Sequence, residues 1–342
     1  MALQRTTYKF GAASVQYLFG ASLRNLREWT DPAYTVLITD EHVFAAHRTL
    51  FKGWNTIILK PGEAYKVQQT VDAVIDQLIE MGADRKTTLV GVGGGVVTDL
   101  TGYIASIYMR GIRFGFVPSS LLAMVDASIG GKNGIDVGIY KNMVGIIRQP
   151  AFLLFDHTLL KTLPEQEWIN GFAEIIKHAA IKDSVMFKEL EQHTLRFYRQ
   201  NTPALSSLIR RNVLIKTRVV QKDEFEKGDR KLLNFGHTLG HALENSYELS
   251  HGQAIAIGMA YAAGISSLTT GFKETERLTA LLEKYHLPSY AVFDKRKALE
   301  ILQKDKKKIR DSIHYVLLKR IGRAEVHPLS LQQLRDMLKQ LP

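Results

Sequence analysis

Strand-like and helix-like segments alternate along the first half of the chain. Residues 35–39 (TVLIT) form a short β-branched run that ends at Asp40, and residues 56–59 (TIIL) form another, followed by the turn-forming Pro61-Gly62. Residues 71–80 carry apolar positions at helical spacing, residues 87–92 (TTLVGV) run as a strand into three glycines, and residues 114–117 make a further strand closed by Pro118. This alternation predicts a parallel sheet covered by helices. From Pro164 onward, apolar residues recur three and four apart through residues 168–181, 204–220, 232–243 and 254–267. Good strand runs nearly vanish until residues 314–318. The pattern therefore predicts an α/β domain over residues 1–163 and a mostly α-helical domain over residues 164–342, with no internal repeat and no low-complexity linker.

Composition narrows the chemistry. A chain of 342 residues exceeds the size at which one core usually stops growing, which agrees with two domains. Hydrophobic residues make up 45% and charged residues 23%, ordinary values for a folded globular protein. There is no cysteine, so disulfides, thiolate metal sites and a cysteine nucleophile are excluded, and any metal must be held by His, Asp or Glu. The first twenty residues lack an apolar signal core and the longest apolar stretch, residues 254–268, is too short to span a bilayer. A cytoplasmic protein without a membrane partner is expected. The formal net charge is +11, and residues 294–323 hold eleven Lys or Arg against four Asp or Glu. Such an excess can mark a nucleic-acid surface, a solvated basic face, or a field that draws in a small anionic substrate. The aromatic interleaving and motifs of a nucleic-acid binder are missing, so no nucleic-acid partner is expected.

Two local patterns carry candidate chemistry. Gly93-Gly94-Gly95 joins a strand to a helix start, a geometry that lets backbone N–H groups approach a pyrophosphate. A tight structural turn would use the same residues, and the segment does not fit G-x-G-x-x-G because Val96 occupies the last glycine position. No P-loop is present. Asp40, at the end of the first predicted strand, is placed to hold a ribose hydroxyl. His237 and His241 lie four apart on one helix face, a spacing that serves packing as readily as metal binding. His251 follows at the start of an apolar helix, and Glu174 sits among apolar neighbours with Lys177. An acid there is costly unless it is paired or metal-bound. Two imidazoles and one carboxylate would leave coordination positions open, as a catalytic zinc site requires.

In chain order, GGGVVTDLTG, RGIRF, VPSSLLAMVDASIGGK, KNMVG, GFAEIIK, NFGHTLGHA and HGQA resemble the motif set of the 3-dehydroquinate synthases. The likeness runs from about residue 40 to residue 318. It implies a Rossmann-like α/β N-terminal domain with a parallel sheet and a mostly α-helical metal-binding C-terminal domain, as in glycerol dehydrogenases. It implies metal ligation by Glu174, His237 and His251, with zinc or cobalt as the ion. NAD contacts are implied for Asp40, Glu63, Lys66, Gly94, Gly95, Asp99, Ser119, Ser120, Lys141 and Thr162. Substrate contacts are implied for Arg110, Asp126, Lys132, Asn142, Lys177, Lys216, Glu226, Arg230, Asn234 and His241, and the segment Asp305-Lys306-Lys307 resembles a late lysine motif.

The family's substrate is 3-deoxy-D-arabino-heptulosonate 7-phosphate, whose phosphate and carboxylate would explain a convergence of Lys and Arg. The implied activity is that of a phosphorus–oxygen lyase of the shikimate pathway, which supplies aromatic amino acids. Oxidation by NAD, loss of phosphate, re-reduction, ring opening and aldol closure give 3-dehydroquinate without net oxidation. Lys132, Asn142 and a late lysine would hold the phosphate, Lys216, Arg230 and Asn234 the carboxylate, and His241 would relay a proton. A homodimer is the implied assembly. Ser119-Ser120 stands where the family usually has two threonines, Gln253 where a Glu is common, Asp136 where an Asn is frequent and His178 where a Tyr is frequent. The alternatives are another sugar phosphate cyclase, whose substrate lacks the carboxylate, and a metal-dependent glycerol-type dehydrogenase that would release NADH.

Overall fold

β-Branched and aromatic runs build the sheet that organises the first part of the chain. The computed structural model describes residues 3–138, 140–244, 246–304, 308–309 and 312–341. Its contacts divide into two units, Met1–Glu167 with Ser206–Phe225, and Trp168–Leu205 with Glu226–Pro342.

In the first unit the strands are β1 (Gln4–Phe10), β2 (Ala13–Phe19), β3 (Thr35–Asp40), β4 (Asn55–Leu59), β5 (Thr88–Gly93), β6 (Arg113–Pro118), β7 (Lys132–Val137), β8 (Tyr140–Ile147) and β9 (Phe152–Phe155). Seven of them form one sheet in the order β1-β2-β9-β6-β5-β3-β4, and β7 pairs with β8 as a separate hairpin. Every pairing in the large sheet is parallel except β1 with β2. Helices α1 (Glu41–His47), α2 (Gln68–Glu80) and α3 (Gly95–Ile107) provide crossovers. Leu18, Val90, Phe152 and Leu154 are fully buried in the core that this sheet makes. The predicted strands from residue 35 to residue 117 therefore form a parallel, Rossmann-like sheet. The β1–β2 hairpin precedes them, so Asp40 closes the third strand rather than the first. β1 is mostly solvated along its length, and its hydrophobic signal is correspondingly weak.

The second unit is mostly helical: α4 (Glu165–Lys182), α5 (Ser184–Gln192), α6 (Leu195–Gln200), the start of α7 (Thr202–Lys222), α8 (His237–Glu244), α9 (His251–Thr270), α10 (Thr275–Lys284), α11 (Lys295–Lys304) and α12 (Leu331–Gln340). A small sheet of β10 (Lys308–Ile309), β11 (Ser312–Arg320) and β12 (Arg323–Ser330) accompanies them. Most of α7 clusters with the first unit, although its sequence lies beyond residue 164. The helical pattern over residues 232–243 is not one helix. A 3-10 turn, Asp229–Asn234, precedes α8, and Gly236 at φ +79° separates the two. α9 is buried on nearly all faces, which makes it the central helix of its unit. Among the described residues, no helix is long and apolar enough to cross a membrane.

Candidate active site

The glycine loop of the first unit divides its labour. A Cβ on Gly91 would lie 2.7 Å from the Thr101 hydroxyl, and one on Gly93 would lie 2.5 Å from Val97. These two glycines let α3 pack directly on β5. Gly94 and Gly95 differ: a Cβ there would meet only Ser120 at 3.6 Å and Ala127 at 3.4 Å, ordinary contact distances. Gly94 caps α3 without a side-chain hydrogen bond, so the first N–H groups of the helix remain donors for an anion. Ser119 donates its backbone N–H to Gly93 at 2.9 Å, and the Ser120 hydroxyl accepts from Ala123 at 3.2 Å. Gly94, Gly95, Ser119 and Ser120 thus stand together. Asp40 closes β3, the strand beside β5, and its carboxylate accepts from Val43 at 2.9 Å.

A second group centres on Lys66. Its ammonium lies 2.6 Å from Asp99, 2.7 Å from the Asn142 side-chain oxygen and 3.7 Å from Glu63. Burial pulls the Lys66 ammonium down, but the Asp99 and Glu63 charges outweigh it and hold the proton on. Asp136 completes the group. It accepts from the Asn142 backbone N–H at 2.6 Å and donates its own N–H to the Lys66 carbonyl at 2.8 Å. Asn142 has φ +53°, a strained value for a side-chain-bearing residue, so its conformation depends on these partners. Lys141 faces Glu63 electrostatically. Lys216 bonds both the carboxylate and the carbonyl of Asp126, each at 2.8 Å.

Three further positions named from sequence lie in this unit. Thr162 bonds His47 at 2.8 Å. Arg110 is exposed at φ +67° in the turn after α3, and Lys132 is exposed at the start of β7. Asp305-Lys306-Lys307 lies outside the described residues.

In the second unit, the candidate ligands come from three helices. Glu174 is fully buried in α4, His237 opens α8, and His251 opens α9. One Glu174 oxygen, Oε1, lies 3.2 Å from His251 Nε2 and 3.5 Å from His237 Nε2. Glycines make the convergence possible. A Cβ on Gly258 would fall 1.9 Å from the Gly236 carbonyl, one on Gly240 would fall 3.0 Å from the Ala254 carbonyl, and one on Gly252 would fall 2.6 Å from Asn170 Cα. The backbones of α8 and α4 therefore touch α9 directly, which brings the side chains at their facing positions within reach of one another.

The donor set fits a divalent cation. The Phe235 carbonyl can only accept, so its 3.2 Å contact places the His237 proton on Nδ1 and turns the Nε2 lone pair toward Glu174. Glu244 lies 3.6 Å from His251 Nδ1 and orients that ring in the same sense. Lone pairs and a carboxylate directed at one another repel unless a positive charge lies among them. In the metal-free chain a proton serves: burial opposes it, but hydrogen bonds to Glu174 and Glu244 raise His251 to about 9. Burial, reinforced by Lys177, holds His237 well below the ordinary histidine value. Lys177 forms a buried ion pair with the other Glu174 oxygen. His241 stands beside His237, ring centroids 5.2 Å apart. Arg230 is only 2% exposed in the 3-10 turn, and Asn234 donates to Glu226 at 2.5 Å.

Two roles enter the picture only through the structure. Glu244 lies seven residues after His237, on the same side of α8, yet a single acid near a helix end carries no distinctive signal in sequence. Asp136 was visible only as a departure from a motif; its bond to Asn142 depends on the β7–β8 pairing. Gln253 also has a local role. It forms a capping box with Ser250, while Glu244 supplies the carboxylate beside His251.

Comparison with known proteins adds the following. A sequence model described as 3-dehydroquinate synthase N-terminal matches residues 56–170, and one described as 3-dehydroquinate synthase C-terminal matches residues 171–308. Among solved structures, a 2-epi-5-epi-valiolone synthase from Streptomyces hygroscopicus subsp. jinggangensis 5008, with NAD+ and Zn2+ bound, is 26% identical with a TM-score of 0.89 over 98% of each chain. A 2-deoxy-scyllo-inosose synthase complexed with carbaglucose-6-phosphate, NAD+ and Co2+ is 24% identical, TM-score 0.86, over 98% of this chain and 99% of that one. A probable glycerol dehydrogenase from Sinorhizobium meliloti 1021 is 16% identical, TM-score 0.67, over 97% of each chain. The last two likenesses are of fold.

Proposed function

The chain belongs to the 3-dehydroquinate synthase family of sugar phosphate cyclases, and we propose that it converts 3-deoxy-D-arabino-heptulosonate 7-phosphate to 3-dehydroquinate and phosphate, as a step of the shikimate pathway. Glu174, His237 and His251 would hold a zinc or cobalt ion, and the glycine loop with Asp40, Asp99, Ser119 and Ser120 would hold NAD. When bound, NAD removes and returns a hydride and the cation polarises the alcohol oxygen, so the reaction needs no outside oxidant.

The protein's own residues bind, orient and move protons. Lys132 and Asn142 bind the substrate phosphate, and the bonds from Asp136 and Lys66 hold Asn142 in its strained conformation for that task. Lys216, Arg230 and Asn234 bind the carboxylate. Asp126 and Glu226 set the directions of Lys216 and Asn234. His241, beside His237, takes the alcohol proton, a role suited to an imidazole. Lys177, ion-paired with one Glu174 oxygen, leaves the other facing the two imidazoles. A homodimer is the assembly proposed with this activity.

The observation that carries the reading is Arg230, only 2% exposed, at a position that the family resemblance assigns to the substrate carboxylate. A guanidinium fixed in the interior suits a carboxylate, which it can meet with two parallel N–H groups. The 26% identity to a valiolone synthase supports a second reading, a cyclase whose substrate lacks the carboxylate. Side-by-side turnover of the heptulosonate phosphate and sedoheptulose 7-phosphate separates the two. The first reading expects activity on the acid alone, and activity confined to sedoheptulose 7-phosphate would select the second.

A further inference from the structure

Asn170 stands one helical turn before Glu174 on α4, on the face that meets the start of α9. It is buried, and its side-chain oxygen accepts from the Ser250 hydroxyl at 2.7 Å and from the Gly252 backbone N–H at 3.3 Å. A backbone N–H can only donate, so the amide oxygen, not its nitrogen, faces α9. The two donors are the residues on either side of His251.

The local structure is built around this contact. Only a glycine at 252 allows the two backbones to approach, since a Cβ there would lie 2.6 Å from Asn170 Cα. Ser250 uses its hydroxyl twice. It donates to Asn170 and accepts from the Gln253 N–H at 3.4 Å, while Gln253 Oε1 accepts from the Ser250 N–H at 2.9 Å. The first turn of α9 is thereby fixed to α4 on both flanks of His251, and the His251 ring is presented with Nε2 3.2 Å from Glu174.

We propose that Asn170 is a positioning residue for the metal centre, acting through Ser250 and Gly252 to fix His251 as a ligand. One face of α4 then supplies both a ligand, Glu174, and the clamp that sets a second ligand, so their separation is fixed by a single rigid helix. The inference rests on the metal reading of Glu174, His237 and His251.

The test uses the full chain and measures zinc affinity by chelator competition, together with the visible spectrum of the Co2+-loaded protein. Asn170→Leu keeps the approximate shape but removes the acceptor; Asn170→Asp keeps the acceptor. The folded Leu variant is expected to bind zinc roughly 10–100-fold more weakly, with altered Co2+ bands, the range typical for loss of a group that orients a ligand. The Asp variant is expected to retain wild-type affinity and spectrum. Should the Leu variant not fold, Ser250→Gly carries the same test, because glycine is tolerated at a helix N-cap but cannot bond Asn170, and a loss of about tenfold is expected. Wild-type affinity and spectrum in folded Asn170→Leu or in Ser250→Gly, while His251→Ala loses zinc, would overturn the clamp alone. Equal losses in the Asp and Leu variants would also overturn it. A wild-type chain that takes up no zinc would overturn the metal reading itself and the inference with it.

Discussion

Glu174 is the residue on which the second unit's chemistry turns. It is fully buried, faces two imidazoles through one oxygen and pairs with Lys177 through the other. Glu174→Gln is expected to abolish metal retention and to strand the Lys177 charge in the interior, lowering stability by about 3 kcal/mol; chemical denaturation of the metal-free variant against metal-free wild type measures this. Equal stability of the two would show that Lys177 does not depend on Glu174. In the first unit, Asp136→Ala removes the acceptor for the Asn142 N–H and releases a strained backbone. The expected result is a raised KM for the phosphorylated substrate, checked by steady-state kinetics. Glu174, His237 and His251 could be singled out in the sequence as candidate ligands because an acid and imidazoles are unusual next to apolar helical positions. Glu244, Asp136 and Asn170 could not, because an ordinary acid or amide acquires its role only from a neighbour distant in sequence.

Among the elements, the crossing of α8 and α9 sets the geometry of the centre. Gly258→Ala drives a Cβ to within 1.9 Å of the Gly236 carbonyl, a backbone atom that cannot turn aside. It is expected to cost about 1–3 kcal/mol and to weaken zinc binding together with stability, because the helices that carry His237 and His251 must move apart. Gly271→Ala is the control. That glycine ends α9 at φ +72° with no atom near its absent Cβ, so about 1 kcal/mol of stability is expected to go while zinc affinity stays the same. Thermal unfolding and zinc titration of both variants check the pair. β3, β5 and β6 could be read directly from sequence because both faces of a parallel sheet are covered there and these strands run almost continuously buried. β1 and β8 could not, since they are largely solvated, nor could β7, whose buried positions include Asn133, Gly134 and Asp136 rather than an apolar run, and the four residues of β9 are too short to show a period. The break at Gly236 interrupts an apolar pattern that itself runs on unchanged.

At the scale of the whole molecule, the first unit holds the features suited to a dinucleotide and the second the features suited to a metal ion. The net charge of +11 suits an anionic substrate. Removal of metal by a chelator is expected to lower the melting temperature, with zinc restoring it, because an ion bound only by the folded chain stabilises that state. Calorimetry with and without chelator measures the shift, and an identical melting temperature would count against a tight site. The central claim is that the redox step leaves no net oxidation, and the ratio of NADH formed to phosphate released tests it most directly. With heptulosonate phosphate in excess, zinc present and NAD well below the substrate concentration, the account predicts many phosphates released per NAD and no accumulating NADH. Phosphate release that stops when NAD is consumed, with NADH appearing in equal amount, would contradict it.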